Sequence, residues 1–122
     1  MLVVYYSLTG NVKEFVSKLK YESLEINSTN PFKRIHRNYV LIAPTYEYEA
    51  TEPMYEFIEC NDIANFKGVI GSGEFNFNED YIFTAKDISK RYNVPLLADF
   101  EKNGSANDVS KIIREIDIIA TT

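Results

Sequence analysis

Apolar positions follow two rhythms along the chain, one continuous and one helical, and they take turns. Residues 2–6 are apolar throughout and stop at Ser7, Thr9, Gly10 and Asn11, as a buried strand does on entering a tight loop. Val12, Phe15, Val16 and Leu19 then recur at i, i+3, i+4 and i+7 opposite Lys13, Glu14 and Lys18, which predicts an amphipathic helix. Residues 24–26 carry a weak strand signal, and the run Asn-Ser-Thr-Asn-Pro at 27–31 is loop chemistry; no helix is expected before residue 38. A second clear strand is expected at 39–43, a loop at 44–51, and a short helix with Pro53 in its first position and Met54, Phe57 and Ile58 on its face. Residues 67–72 predict a further strand and 73–78 a loop. Asn78 is a suitable N-cap, with Glu79 and Asp80 at the positive end of a helix whose face is Tyr81, Ala85, Ile88 and Tyr92 and which stops before Pro95. The last strand falls at 96–100, Lys102-Asn103-Gly104 is a turn, and Ser105 with Asp108 caps a terminal helix facing inward through Val109, Ile112, Ile113 and Ile116.

Short strands that are apolar on both faces, alternating with amphipathic helices, are what a parallel sheet covered on both sides requires. The expected class is therefore α/β in three layers. Five strands fit the flavodoxin-like doubly wound order 2-1-3-4-5, with the helix between strands 2 and 3 shortened or absent, and residues 1–122 read as a single domain. In such folds ligands bind beyond the carboxyl ends of the strands.

Composition narrows the function. Thirteen basic against eighteen acidic side chains give a net charge of −5, the wrong sign for a nucleic-acid binder. A single cysteine, Cys60, and a single histidine, His36, offer neither a disulfide nor a metal-ligand cluster. No apolar run has the roughly 18 residues of a membrane span and no charged leader precedes Leu2, so a cytoplasmic, monomeric protein is expected. Aromatic residues reach 14%, nine Tyr and eight Phe, enough to serve a site as well as a core.

Three loops, 7–12, 44–51 and 72–81, would converge at the carboxyl edge. The first offers two hydroxyls, a carboxamide and a glycine at a helix start, a composition that can hold a phosphate; without the lysine of a P-loop, triphosphate hydrolysis is disfavoured. Its alternative is an ordinary turn capped by Thr9 or Asn11. The other two loops hold Tyr46, Tyr48, Phe75, Phe77 and Tyr81, which suit a flat ring, although Phe77 and Tyr81 could equally pack beneath their helix. A receiver domain would need acids after the first strand and a small tyrosine phosphatase would need cysteine and arginine in the phosphate loop; neither set is there.

The run Ser7-Leu8-Thr9-Gly10-Asn11-Val12 resembles the S-x-T-G-N phosphate loop of flavodoxin-like proteins. Val69-Ile70-Gly71-Ser72-Gly73 followed by Asn76-Phe77, together with Pro44-Thr45-Tyr46 and Tyr92-Asn93-Val94-Pro95-Leu96-Leu97, resembles the NrdI family in order over nearly the whole chain. The resemblance implies an FMN protein that takes electrons from a flavodoxin or flavin reductase or a similar donor. It would reduce molecular oxygen and supply superoxide or peroxide for the dimanganese-tyrosyl radical cofactor of the class Ib ribonucleotide reductase small subunit. Carried over by position, Ser7, Thr9, Gly10, Asn11 and Val12 would hold the phosphate. Thr45, Tyr46, Glu47, Tyr48, Glu49 and Ala50 would line one side of the ring, and Gly73, Phe75, Asn76, Phe77 and Tyr81 the other, with no side chain acting as acid, base or nucleophile.

Glu47 and Glu49 stand where the family tends to have glycines, and Glu74, Phe75 and Asn78 where it tends to have Asn, Arg and Gly. With Glu52, Glu79 and Asp80 nearby, these acids are expected to lower the potential of the fully reduced flavin, and neutralising Glu47 and Glu49 to raise it. Two other uses of the fold remain open: a one-electron carrier between a reductase and another enzyme, and an interaction module that has lost its cofactor. The basic run Lys33-Arg34-Ile35-His36-Arg37 is either a solvated loop or a docking patch for an acidic partner.

Overall fold

The computed structural model describes residues 1–46, 48–73 and 81–121, with Tyr48 described in its backbone alone. Strands β1 (Leu2–Tyr6), β2 (Ser23–Ile26), β3 (Tyr39–Pro44), β4 (Phe66–Gly73) and β5 (Leu96–Glu101) form one sheet in the order β2-β1-β3-β4-β5. Every neighbouring pair is parallel. The doubly wound order expected from the strand pattern is the one observed.

Alternation along each strand divides the core. Val4 and Tyr6 of β1 join Leu41 and Ala43 of β3 and Val69 of β4 on one face, covered by α2 (Tyr48–Cys60) and α3 (Phe83–Tyr92). Val3 and Tyr5, with Val40, Ile42 and Ile70, face the other way against α1 (Asn11–Val16) and α4 (Ala106–Ala120). A period-2 strand buried on both faces needs apolar residues at every position, and β1 and β3 are buried at all of theirs. Between β2 and β3 the described chain makes turns and no helix.

The helices depart from their expected bounds at three ends. α1 stops at Val16, and the chain then tightens through i→i−3 bonds from Lys18 N–H to the Phe15 carbonyl and from Leu19 N–H to that of Val16, which keep Leu19 buried outside the helix. α2 starts at Tyr48, so Pro53 lies inside it rather than at its first position. The N–H that Pro53 lacks would have met the carbonyl of Glu49, an exposed residue where water can serve instead. The Tyr6 hydroxyl donates to the Ala50 carbonyl at 2.5 Å, tying that turn to β1. α3 starts at Phe83, with Ile82 in the N-cap position and no side-chain cap, so the cap expected at Asn78 is not the start of this helix; Asn78 itself lies outside the described residues. Asn93 ends α3 in the left-handed conformation, two residues before Pro95. At α4 the Ser105 and Asp108 capping box forms in both directions. No helix among the described residues is long and apolar enough to cross a membrane.

Candidate functional site

Parallel registry carries the strand ends to one edge: Pro44 pairs with Ser72, and Gly73 with Glu101. There a cleft of about 220 Å³ is lined by Ser7, Leu8, Thr9, Asn11 and Val12 from the first loop, Pro44, Thr45 and Tyr46 after β3, Ser72 and Gly73 of β4, and Lys102 after β5. It lies below the roughly 300–1,000 Å³ of most ligand pockets. Two of its walls continue in sequence into Glu47 and residues 74–80, outside the described set.

The first loop is shaped by Gly10, which adopts φ +92° with open space where a Cβ would project, so the backbone angle alone demands glycine. Gly10 is the N-cap residue of α1 and no side chain caps it; neither Thr9 nor Asn11 plays the role expected of an ordinary turn. Ser7 instead reaches forward, its Oγ accepting from Lys13 N–H at 3.2 Å. The N–H groups of Asn11 and Val12 have no partner among the described residues. Hydroxyls, a carboxamide and free amide donors beside a left-handed glycine form a donor set that fits a phosphate.

Across the cleft, the Tyr46 phenol donates to Thr9 Oγ1 at 3.2 Å, joining the β3 loop to the first loop. Thr45 works on the other flank. Its hydroxyl proton is shared between the carbonyls of Ser72 at 2.9 Å and Tyr81 at 3.2 Å. Gly73 meets the same carbonyl: a Cβ there would stand 1.8 Å from Tyr81 O. Glycine at 73 is thus required by the Tyr81 carbonyl that crosses it, and Thr45 ties Ser72 to Tyr81.

Of the residues singled out from the sequence, Ser7, Thr9, Asn11, Val12, Thr45, Tyr46 and Gly73 line the cleft, with Gly10 shaping the loop between them. Glu49 and Ala50 belong to the first turn of α2 and do not line it. The Tyr81 side chain turns into an adjoining cleft, where its hydroxyl meets Asp99 Oδ1 at 3.3 Å; burial, then that carboxylate, pushes the phenol above its ordinary range. Glu47, Phe75, Asn76 and Phe77, and the side chain of Tyr48, lie outside the described residues, as do Glu74, Glu79 and Asp80.

Lys102 is the residue that reading three loops missed. It sits in the left-handed region at φ 54°, uncommon for a side-chain-bearing residue, and its N–H donates to the Gly73 carbonyl at 2.9 Å. Lys102 thus adds a basic residue to a cleft lining otherwise made of neutral side chains. The signal was positional: the turn after β5 opens on the same edge as the other three loops.

Residues 3–114 match the NrdI flavodoxin-like family. The chain belongs to that family. Membership in the NrdI family implies a flavin cofactor, and the donor set at the Ser7–Val12 loop is compatible with one. Among solved structures, the fold is similar to the metal-soaked Flv1 flavodiiron core from Synechocystis sp. PCC6803, with a TM-score of 0.62 and 10% sequence identity. That match covers 98% of this chain and 35% of the other, so the chain spans about a third of that protein's length. At this identity the likeness concerns the fold, which agrees with the NrdI assignment.

Proposed function

We propose that this protein binds FMN in the carboxyl-edge cleft, reduces molecular oxygen with electrons from a flavodoxin or flavin reductase or a similar donor, and supplies superoxide or peroxide to the class Ib ribonucleotide reductase small subunit for assembly of its dimanganese-tyrosyl radical cofactor. The observation that carries this reading is the NrdI family match over residues 3–114, whose span includes every residue lining the cleft. FMN, when bound, supplies the electron chemistry.

The chain's own work is binding and shaping. Ser7, Thr9 and Asn11 offer hydroxyl and carboxamide groups to the phosphate, with the free N–H groups of Asn11 and Val12 beside them. Gly10 brings the backbone into position. Tyr46 flanks the ring, where an aromatic contact contributes about 0.5–1.5 kcal/mol beyond burial. Thr45 and Gly73 fix the opposite wall, and in this reading Glu47, Tyr48, Phe75, Asn76 and Phe77 complete the ring's surroundings. The protein acts as a single cytoplasmic domain and monomer.

The test is an anaerobic dithionite titration of the FMN-loaded protein, followed by admission of oxygen with detection of superoxide and peroxide. Rapid reoxidation with oxidant release is the expected result. Slow reoxidation, with electrons exchanged singly, would point to a carrier between a reductase and another enzyme, and absence of FMN uptake would contradict both.

A further inference from the structure

We propose that Lys102 is the cation that receives the flavin phosphate, and that it gives this acidic protein its preference for a phosphorylated flavin over an unphosphorylated one. The inference rests on the flavin reading above and adds to it a residue and a selectivity.

Three attachments fix where Lys102 stands. Its N–H is bonded to the Gly73 carbonyl, so the turn continues the β4–β5 pairing past the last strand residue. Asn103 Nδ2 donates to Glu14 Oε2 of α1 at 3.1 Å. Gly104, whose N–H returns to the Glu101 carbonyl at 2.9 Å, lies so close to Phe15 of α1 that a Cβ would stand 2.4 Å from its ring. The turn is thus seated against the helix that begins at Gly10, and Lys102 shares the cleft with Ser7, Thr9 and Asn11.

Charge gives this position its consequence. Lys102 is the one cationic side chain among the described residues lining the cleft, and no described carboxylate forms a salt bridge with it. Lys102 also borders a second cleft of about 410 Å³, whose lining includes Asp99, Glu101 and Asp108. A phosphate monoester carries about −1.5 to −2 charges at neutral pH and would approach through the field of those carboxylates. Lys102 offsets that repulsion at the loop where the hydroxyl and amide donors converge. Riboflavin, which lacks the phosphate, gains nothing from it.

Apo-protein is titrated with FMN and with riboflavin, following flavin fluorescence at low and high salt, for the wild type and for Lys102→Met and Lys102→Arg. Methionine keeps the stem length and the same left-handed backbone demand, and a thermal melt checks that the fold is retained. The expected result is that Lys102→Met weakens FMN binding about tenfold, or about 1.4 kcal/mol, and removes most of its salt dependence. Riboflavin affinity should stay unchanged, and Lys102→Arg should restore most of the FMN affinity. Equal losses for both flavins would show that the lysine serves the turn, and unchanged FMN affinity that it does not meet the phosphate; either overturns this proposal alone. A wild-type protein that binds neither flavin would overturn it together with the flavin reading.

Discussion

At the carboxyl ends of the strands the chain turns on Gly10, Lys102 and Gly104, three of the four positive-φ residues among those described. At the amino ends it turns on aromatic packing: Tyr39 stacks on Phe66 at 5.0 Å and meets Phe57 edge-on at 5.4 Å. Charge differs between the ends as well, although each carries both signs, with Lys102 at the carboxyl edge and Glu22 beside Arg37. Glu49, Glu52, Asp99, Glu101 and Asp108 stand toward the carboxyl edge. The exposed Lys33, Arg34, His36 and Arg37 precede β3, on a segment pinned to the end of α2 by Ile35 N–H donating to Asn61 Oδ1 at 2.8 Å. Between the ends, β1 and β3 are buried at every position. The difference teaches that the candidate site lies where the backbone adopts conformations that side chains resist, while the other end is held by ring packing.

If that division is real, substitutions at the two ends should separate flavin binding from stability. The largest effect is expected at Gly73→Ala, because a Cβ would stand 1.8 Å from the Tyr81 carbonyl. Overpacking of backbone against backbone should cost about 2–3 kcal/mol of stability and lower FMN affinity about a hundredfold, read by denaturant melts and fluorescence titration. Gly10→Ala comes next: the left-handed angle should cost about 1–2 kcal/mol, and it should weaken FMN more than it weakens riboflavin. Thr45→Val leaves the carbonyls of Ser72 and Tyr81 without their shared hydroxyl and should cost about 1 kcal/mol.

The amino end should respond differently. The Tyr39 hydroxyl is buried with no partner among the described residues, so Tyr39→Phe should stabilise the protein by up to about 1 kcal/mol with FMN affinity unchanged. Burial raises the Tyr39 phenol well above its ordinary range. The folded protein therefore keeps a proton that the unfolded chain sheds near pH 10. The stabilising contribution is complete below about pH 10 and is lost as pH rises through the raised value; denaturation at alkaline pH should show a shallower decline for Tyr39→Phe. Smallest of all is Arg37→Glu. The exposed pair that Arg37 makes with Glu22 at 2.8 Å contributes about 0–1 kcal/mol, and FMN binding should not change.

Much of this was legible in the sequence because burial on both sheet faces imposes a period-2 pattern and a covered helix imposes its own. Val3 and Val4 divide between opposite faces as that pattern requires. Gly10 could be read as a loop glycine, since few other residues tolerate its angle. The start of α2 is hidden because Tyr48, Glu49, Ala50 and Thr51 are polar or mixed and Pro53 imitates a helix beginning; the contact of Tyr6 with Ala50 helps hold the earlier turn in place. Leu19 carried helical periodicity yet lies in a turn, because an i→i−3 bond buries it as effectively as another helical residue would. In the sequence, Lys102 reads as turn chemistry. Its place at the cleft depends on Gly73, Glu14 and Phe15, partners far away in sequence that no local pattern encodes.

The most direct test of the central claim is a titration of isotope-labelled apo-protein with FMN, followed by backbone amide chemical shifts. The account predicts one-to-one binding, with the largest shifts at residues 7–12, 45–46, 72–73 and 102 and little change at residues 31–39. Absence of binding, or largest shifts at the amino end of the sheet, would contradict it.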